Sequence, residues 1–89
     1  MNKSTIMQLR RSGYKVRVIH TRNLEKIQKI DGEYMVISSR GGKTRIEVRT
    51  PSGEEVVGEA ICSNEDNWNR KLGNSIALGR ALQQITDPV

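Results

Sequence analysis

The chain has 89 residues and a formal charge of +5, and a chain this short makes one domain, residues 1–89, with a modest core. It contains no Phe, one Trp and two Tyr, so the core must consist of Val, Ile, Leu and Ala, and no aromatic surface can stack several bases. The single cysteine, Cys62, excludes an internal disulfide and favours a reducing, cytoplasmic compartment, and no apolar run reaches the roughly 18 residues that span a membrane.

The basic residues are concentrated at the N-terminus. Residues 1–22 contain six basic side chains and no acidic one, whereas the remainder contains nine basic and ten acidic side chains. This asymmetry favours an anionic partner, although a solvated, solubilising surface has the same composition.

The first third of the chain predicts a basic segment, residues 1–13, followed by a sheet over residues 14–62. Residues 4–12 are compatible with a short helix that ends at Gly13. Residues 14–21 alternate apolar and polar side chains, which predicts a half-buried strand. One face of that strand is formed by Tyr14, Val16, Val18 and His20.

Residues 22–32 are ambiguous. Leu24, Ile27 and Ile30 occur at every third position, which suits either a helical turn or an irregular, partly buried loop. We favour the loop, which ends in a turn at Asp31-Gly32.

Three further strands are predicted over residues 34–39, 44–50 and 55–62. Gly41-Gly42 suits a tight hairpin between the first two of these, because both residues accept positive φ. Pro51-Ser52-Gly53 predicts the next turn. The expected fold class is therefore α+β, with a four-stranded antiparallel meander packed by one long C-terminal helix.

That helix is predicted over residues 63–86. Ser63-Asn64-Glu65-Asp66 resembles a capping box, and Asp87-Pro88 would stop the helix. A step of 100° per residue places a broad apolar arc towards the sheet. The arc contains Trp68, Leu72, Ile76, Leu78, Gly79, Leu82 and Ile85.

The opposite side of the predicted helix has a stripe of small residues, Gly73, Ala77 and Ala81. Gly in a helix interior costs about 0.8–1 kcal/mol relative to Ala, so the stripe needs a packing reason. One interpretation is an oligomer seam between helices. The stripe is flanked by Asn69, Arg70, Arg80 and Gln84, which supply charge and hydrogen bonds. A second interpretation adds an anion pocket at that seam, with Arg70 and Arg80 as phosphate clamps.

A second anion site is possible at the predicted hairpin tip, where Arg40 and Lys43 flank the Gly-Gly pair. An ordinary solvated turn has the same sequence. Catalysis finds little support, because His20 is the lone histidine and Cys62 has no evident base partner. No spacing of His, Cys or carboxylates predicts a metal site, and no cofactor is implied.

The stretch from Asn67 to Leu82, NWNRKLGNSIALGRAL, together with the strands before it from Thr44, resembles small phage-encoded anti-defence proteins. It is most similar to the anti-Thoeris proteins that sequester cyclic ADP-ribose signals, some of which also trap cyclic oligonucleotides. The resemblance implies a non-catalytic homo-oligomer in the host cytoplasm with ligand pockets between protomers. The matching positions are Asn69, Arg70 and Arg80, with Arg17 or Arg22 as an addition.

Two other functions stay open at this point. The order of strands and a last helix resembles a double-stranded RNA-binding domain, which docks through basic residues at the start of that helix. Here the corresponding Ser63-Asn64-Glu65-Asp66 is acidic, but DNA or RNA binding through the basic N-terminal segment is compatible with the sequence. The third function is direct inhibition of a defence protein.

Overall fold

A computed structural model describes residues 3–86 and has an α+β fold of two helices and five antiparallel strands in two sheets. The three-stranded sheet has the order β1-β4-β5, and β2 and β3 form a separate two-stranded sheet. The C-terminal helix α2 packs on β4 and β5. In chain order the elements are α1 (Lys3–Arg11), β1 (Lys15–Thr21), β2 (Leu24–Lys29), β3 (Gly32–Ile37), β4 (Arg40–Arg49), β5 (Glu55–Asn67) and α2 (Arg70–Leu82).

The predicted N-terminal helix and its cap are confirmed. Gly13 has a φ of +91°, and the amide of Tyr14 donates to the carbonyl of Leu9 at 3.0 Å, which is the six-to-one bond of a Schellman motif. Ile6 on this helix is buried, and Arg10 donates through Nη2 to the carbonyl of Val16 at 2.7 Å. These contacts attach α1 to β1.

The three-stranded sheet has one buried face. As predicted, Val16, Val18 and His20 of β1 share a face, and Ile46 and Val48 of β4 lie on the same side. The core also includes residues of β5 and both helices, namely Ile6, Val56, Ala60, Ala77, Leu78 and Ala81.

The loop prediction for residues 22–32 is wrong, because residues 24–29 form β2 and pair with β3. Leu24 is opposite Ile37, and Ile27 is opposite Tyr34. Successive strand residues point to opposite faces, so Leu24 and Ile27 lie on different faces. The sequence of β2 therefore lacks the alternating apolar pattern by which a strand is predicted. We call this hairpin, residues 24–37, the arm.

The arm extends away from the rest of the molecule. Within residues 3–86, β2 and β3 pack on each other and form no packing interface with the three-stranded sheet or the helices. The molecule measures 59 × 21 × 20 Å and its radius of gyration is 16.3 Å, compared with about 12 Å for a compact chain of this length. The single four-stranded meander predicted from the sequence is therefore replaced by a three-stranded sheet and a projecting ribbon.

The hairpin predicted at Gly41-Gly42 is also wrong. Both glycines are buried inside β4, which begins at Arg40, and β4 pairs with β1 and β5 rather than with β3. Their positive φ values, +71° and +114°, serve an irregularity in the pairing. Between the pairs Gly42–Cys62 and Arg40–Asn67, four residues of β5 lie opposite one residue of β4.

The residues of that bulge are Ser63-Asn64-Glu65-Asp66, which had been predicted to cap the C-terminal helix. The helix instead begins at Arg70 with Asn69 as its N-cap. The Asn69 side chain accepts from the amide of Leu72 at 3.0 Å. The predicted helix stop at Asp87-Pro88 lies outside the described residues.

The stripe of small residues on α2 faces the sheet, not a second helix as the predicted oligomer seam requires. Ala77 and Ala81 are completely buried, whereas Leu72 and Ile76 of the predicted inner arc are 55% and 37% exposed. The cause lies on β5, because a Cβ on Gly58 would collide with the backbone of Ala77 and Ala81. Two runs of small residues thus let the helix lie directly on the strand.

This packing predicts opposite effects for two glycine substitutions. Gly58→Ala should destabilise the fold by about 1–3 kcal/mol, since the added methyl group meets helix backbone that cannot move aside locally. Gly79→Ala is the matched control on the same helix–sheet unit. No atom lies within 4 Å of its added Cβ, and it should stabilise the helix by up to about 1 kcal/mol. Urea denaturation measures both, and equal stability of Gly58→Ala and wild type would contradict the close approach.

Candidate functional site

A polar cluster lies where the end of β1, the start of β4 and the start of α2 meet. His20 Nδ1 lies 3.1 Å from Thr44 Oγ1, and the His20 ring meets the Trp68 ring edge-on, with centroids 5.4 Å apart. Thr44 is completely buried, and a Cβ on Gly73 would lie 2.6 Å from its hydroxyl oxygen. Helix α2 therefore covers the threonine and leaves the imidazole at the edge of the core.

Arg22 contacts both Trp68 and the backbone of Ser38. Its guanidinium carbon lies 4.8 Å from the centroid of the Trp68 ring, in a cation–π arrangement. Its Nη2 donates to the carbonyl of Ser38 at 2.8 Å, while its buried Nε has no hydrogen-bond partner. Arg22 is thus held in place from two sides and keeps one unused donor.

Trp68 is positioned by contacts with Ser39 and with Gly42 of β4. Its amide donates to the carbonyl of Ser39 at 2.7 Å, and its ring lies on Gly42, where a Cβ would be 2.8 Å from the ring carbons. A side chain at position 42 would displace the ring. Gly42 therefore supports the tryptophan that supports Arg22, which is a different role from the exposed anion-binding turn predicted from the sequence.

His20 Nε2 and Arg22 Nε are buried and have no hydrogen-bond partner, and the same is true of Asn74 Oδ1 on α2. Buried polar atoms are nearly always paired, so these unpaired atoms require an explanation. Asn74 follows Gly73, the residue packed on Thr44, and lies one helical turn after Arg70. We define the cluster by His20, Arg22, Thr44, Trp68, Arg70 and Asn74.

The electrostatics of the cluster are positive. Burial lowers the pKa of His20 below its ordinary value of 6.5, and the nearby charges of Arg70 and Arg22 lower it further. Among the described residues, neither arginine forms an ion pair with a carboxylate. Two uncompensated cations beside a neutral imidazole favour the binding of an anion.

Of the seven predicted ligand-binding residues, the structure brings only Arg22 and Arg70 into this cluster. Asn69 is adjacent, but its side-chain oxygen already caps α2. Arg80 donates to the carbonyl of Glu59 at 2.7 Å, on the edge strand. Arg17 and Lys43 lie on the outer face of the sheet, near Glu47 and Glu59 at 3.9 and 3.0 Å, and Arg40 is exposed at the start of β4.

Sequence reasoning missed four members of the cluster: His20, Thr44, Trp68 and Asn74. One signal was present, because the alternation of β1 places His20 on the buried face directly after Val16 and Val18. A histidine at the end of an apolar strand face, two residues before an arginine, indicates that its ring is held by specific polar contacts. The contribution of Trp68 had no signal, since it depends on the bulge of β5.

The described residues contain no group of three side chains with metal-ligating spacing, and neither helix between residues 3 and 86 is long and apolar enough to cross a membrane. Comparisons with protein-family models, with curated proteins and with solved structures give no match to this chain. The assignment of function therefore depends on the geometry of the cluster.

The lowered pKa of His20 gives a direct test of the cluster's electrostatics. His20 is the single histidine, so one imidazole signal in an NMR titration reports its pKa. We expect a pKa below 6.5 in the wild type and a higher value in Arg70→Gln, because that variant removes a neighbouring cation. Arg80→Gln, on the same helix but bonded to Glu59, should leave the pKa unchanged.

The same shift predicts how stability depends on pH. The unfolded chain binds a proton at His20 more readily than the folded chain, so the free energy of unfolding falls as the pH drops below about 6.5. His20→Asn should reduce this loss. An imidazole pKa at or above 6.5 in the wild type would contradict the description of the cluster.

Proposed function

We propose that this chain is a non-enzymatic binding protein for a small anionic nucleotide, which the cluster recognises through Arg22 and Arg70. The observation that supports this most is that Arg22 and Arg70, both close to His20, form no ion pair with a carboxylate of the described residues. A phosphate oxygen is an acceptor of the right charge for these donors.

The fixed position of Arg22 favours binding with little entropic cost. Its guanidinium is stacked on Trp68 and bonded to Ser38, so few rotamers are lost when a ligand arrives. Trp68 acts in this proposal as a support, because Arg22 and Gly42 already contact its ring. Adenine stacking on Trp68 is therefore not part of the recognition.

Binding without catalysis is supported by the one hydroxyl–imidazole pair of the cluster. Thr44 and His20 are close enough for a base to activate a nucleophile, but Thr44 has no solvent exposure and lies beneath Gly73. A substrate cannot reach that hydroxyl without moving helix α2. The pair is better suited to fixing the orientation of the imidazole.

The resemblance of residues 44–82 to anti-Thoeris proteins supports a more specific form of the proposal. In that form, the protein is a phage anti-defence factor in the host cytoplasm that sequesters a cyclic ADP-ribose or cyclic oligonucleotide signal. Arg70 lies in the stretch of helix on which the resemblance rests, and Arg22 is one of the two strand arginines it implied. The signal would be held unchanged, so sequestration requires no catalytic group.

Nucleic-acid binding is a second candidate because five basic side chains lie on the outer face of the three-stranded sheet. They are Lys15, Arg17, Lys43, Arg45 and Arg49. Acidic residues alternate with them, however, and Lys43 and Arg45 lie 3.0 and 3.2 Å from Glu59 and Glu47. A phosphate backbone would have to break these pairs, so this face is less favourable than the uncompensated cluster.

Thermal shift measurements test the proposal against a panel of cyclic ADP-ribose isomers, cyclic dinucleotides and short oligonucleotides. We expect one cyclic nucleotide to raise the melting temperature of the wild type, because a ligand that binds only the folded state stabilises it. The shift should be lost in Arg70→Gln and in Arg22→Gln. Arg17→Gln is the matched control and should keep it, since Arg17 lies on the outer face.

Two further readouts separate the candidates. The ligand recovered after denaturation should be chemically unchanged, and a hydrolysed product would indicate an enzyme. Oligonucleotide binding that weakens steeply with salt and depends on Arg17 would indicate the outer face instead. If the protein responds to neither class of ligand, the result would favour direct inhibition of a defence protein.

A further inference from the structure

The arm exposes an apolar surface that no part of the described chain covers. Leu24, Met35 and Ile37 share one face of the hairpin and are 61%, 59% and 62% exposed. A two-stranded ribbon is marginally stable by itself and normally packs on a third strand or a helix. The arm therefore requires a contact that the single chain does not provide.

The body of the molecule has a second apolar surface of similar chemistry. A groove with a volume of about 220 Å³ lies between β5 and α2. Leu72 and Ile76, which line its helix side, are 55% and 37% exposed. We call it the groove and define it by Ala60, Ile61, Cys62, Trp68, Leu72 and Ile76, and its rim also carries the polar side chains of Ser63, Asp66, Asn67 and Asn69.

The groove lies beside an open part of the sheet edge. β5 is an edge strand, and Gln84 and Arg80 of α2 donate to its carbonyls at Val57 and Glu59, at 2.6 and 2.7 Å. Among the described residues, no side chain bonds to the backbone of Ile61 in this way. An edge strand that is capped over one half and open over the other is suited to pairing at the open half.

Charge favours a second copy of this chain as the occupant. The arm contains three acidic and two basic side chains, whereas the rest of the chain contains thirteen basic and seven acidic side chains. An arm is therefore attracted to the body of another copy, while two bodies repel each other. A nucleic acid would be repelled by the acidic excess of the arm.

We infer that two copies of this chain form a dimer by exchanging arms, with the Leu24–Met35–Ile37 face of each arm in the groove of the other copy. Each copy has one arm and one groove, so a two-fold arrangement satisfies both apolar surfaces and closes at two subunits. Because Trp68 lines the groove and also belongs to the cluster, the partner's arm lies beside the proposed ligand site.

Sedimentation equilibrium tests the exchange. The wild type should have twice the chain mass of 10.0 kDa. Met35→Lys on the arm and Leu72→Lys in the groove should each be monomeric, whereas Ile30→Lys at the fully exposed tip should remain dimeric. A monomeric wild type, or a Met35→Lys protein that remains dimeric, would overturn the inference.

Mixing the two monomeric variants distinguishes arm exchange from arm–arm or groove–groove contact. Met35→Lys keeps an intact groove and Leu72→Lys keeps an intact arm, so their mixture should form a heterodimer through one remaining contact. Contact between like surfaces predicts that neither variant rescues the other. Failure to form the heterodimer would therefore exclude the exchange.

The native thiol of the groove gives a positional test. Cys62 is the single cysteine and is free, and Lys26 is opposite Met35 on the arm face. A short bismaleimide should link Lys26→Cys to the partner's Cys62 and give a covalent dimer. Lys29→Cys, on the other face of the arm, should link much less, and Cys62→Ser should abolish the product. Equal linking by the two arm variants would contradict the contact.

The arm exchange and the proposed ligand site can be tested independently of each other. Met35 and Leu72 do not belong to the cluster, so nucleotide-induced thermal shifts can be measured with the monomeric variants. Arg70→Gln, conversely, alters the cluster and should remain dimeric. A wild-type protein that is monomeric but still binds the nucleotide would contradict only the arm exchange.

Discussion

The direct contact between α2 and β5 determines the arrangement of the rest of the structure. Because Gly58 has no side chain, the helix backbone at Ala77 and Ala81 lies on the strand itself. The same placement brings Gly73 onto Thr44 at the other end of the helix. It also places the side chains of Leu72 and Ile76 outward, in the groove. A larger residue at position 58 would alter the core, the cluster and the groove together.

A second close approach completes the site. Gly42 receives the ring of Trp68, and that ring holds Arg22 in a fixed position. Arg22 in turn bonds to Ser38 at the base of the arm, where the amide of Ser38 donates to the carbonyl of Asn23 at 2.8 Å. One arginine thus belongs to both the proposed ligand site and the attachment of the arm.

The sequence was informative where a pattern is local. The Schellman motif at Gly13 and the alternation of β1 depend on neighbouring residues, and both are confirmed. The arm was missed because Leu24 and Ile27 lie on opposite faces of a ribbon that has no buried side. The predicted orientation of α2 was wrong because hydrophobic periodicity places the largest apolar side chains inward. Here the small residues of the helix face the sheet, because Gly58 has no side chain to hold the helix away. Arg22 and Arg70, two of the six residues of the cluster, could be proposed from their charges, but the unpaired atoms depend on long-range packing.

The fluorescence of Trp68 tests the central claim most directly, because it is the single tryptophan and its ring contacts Arg22. Titration with cyclic ADP-ribose and with a cyclic dinucleotide should give a saturable change in emission for one of them. The change should be absent in Arg22→Gln and unaffected in Arg17→Gln. Nucleotide binding detected by calorimetry without any change in Trp68 emission would place the ligand elsewhere and contradict the account.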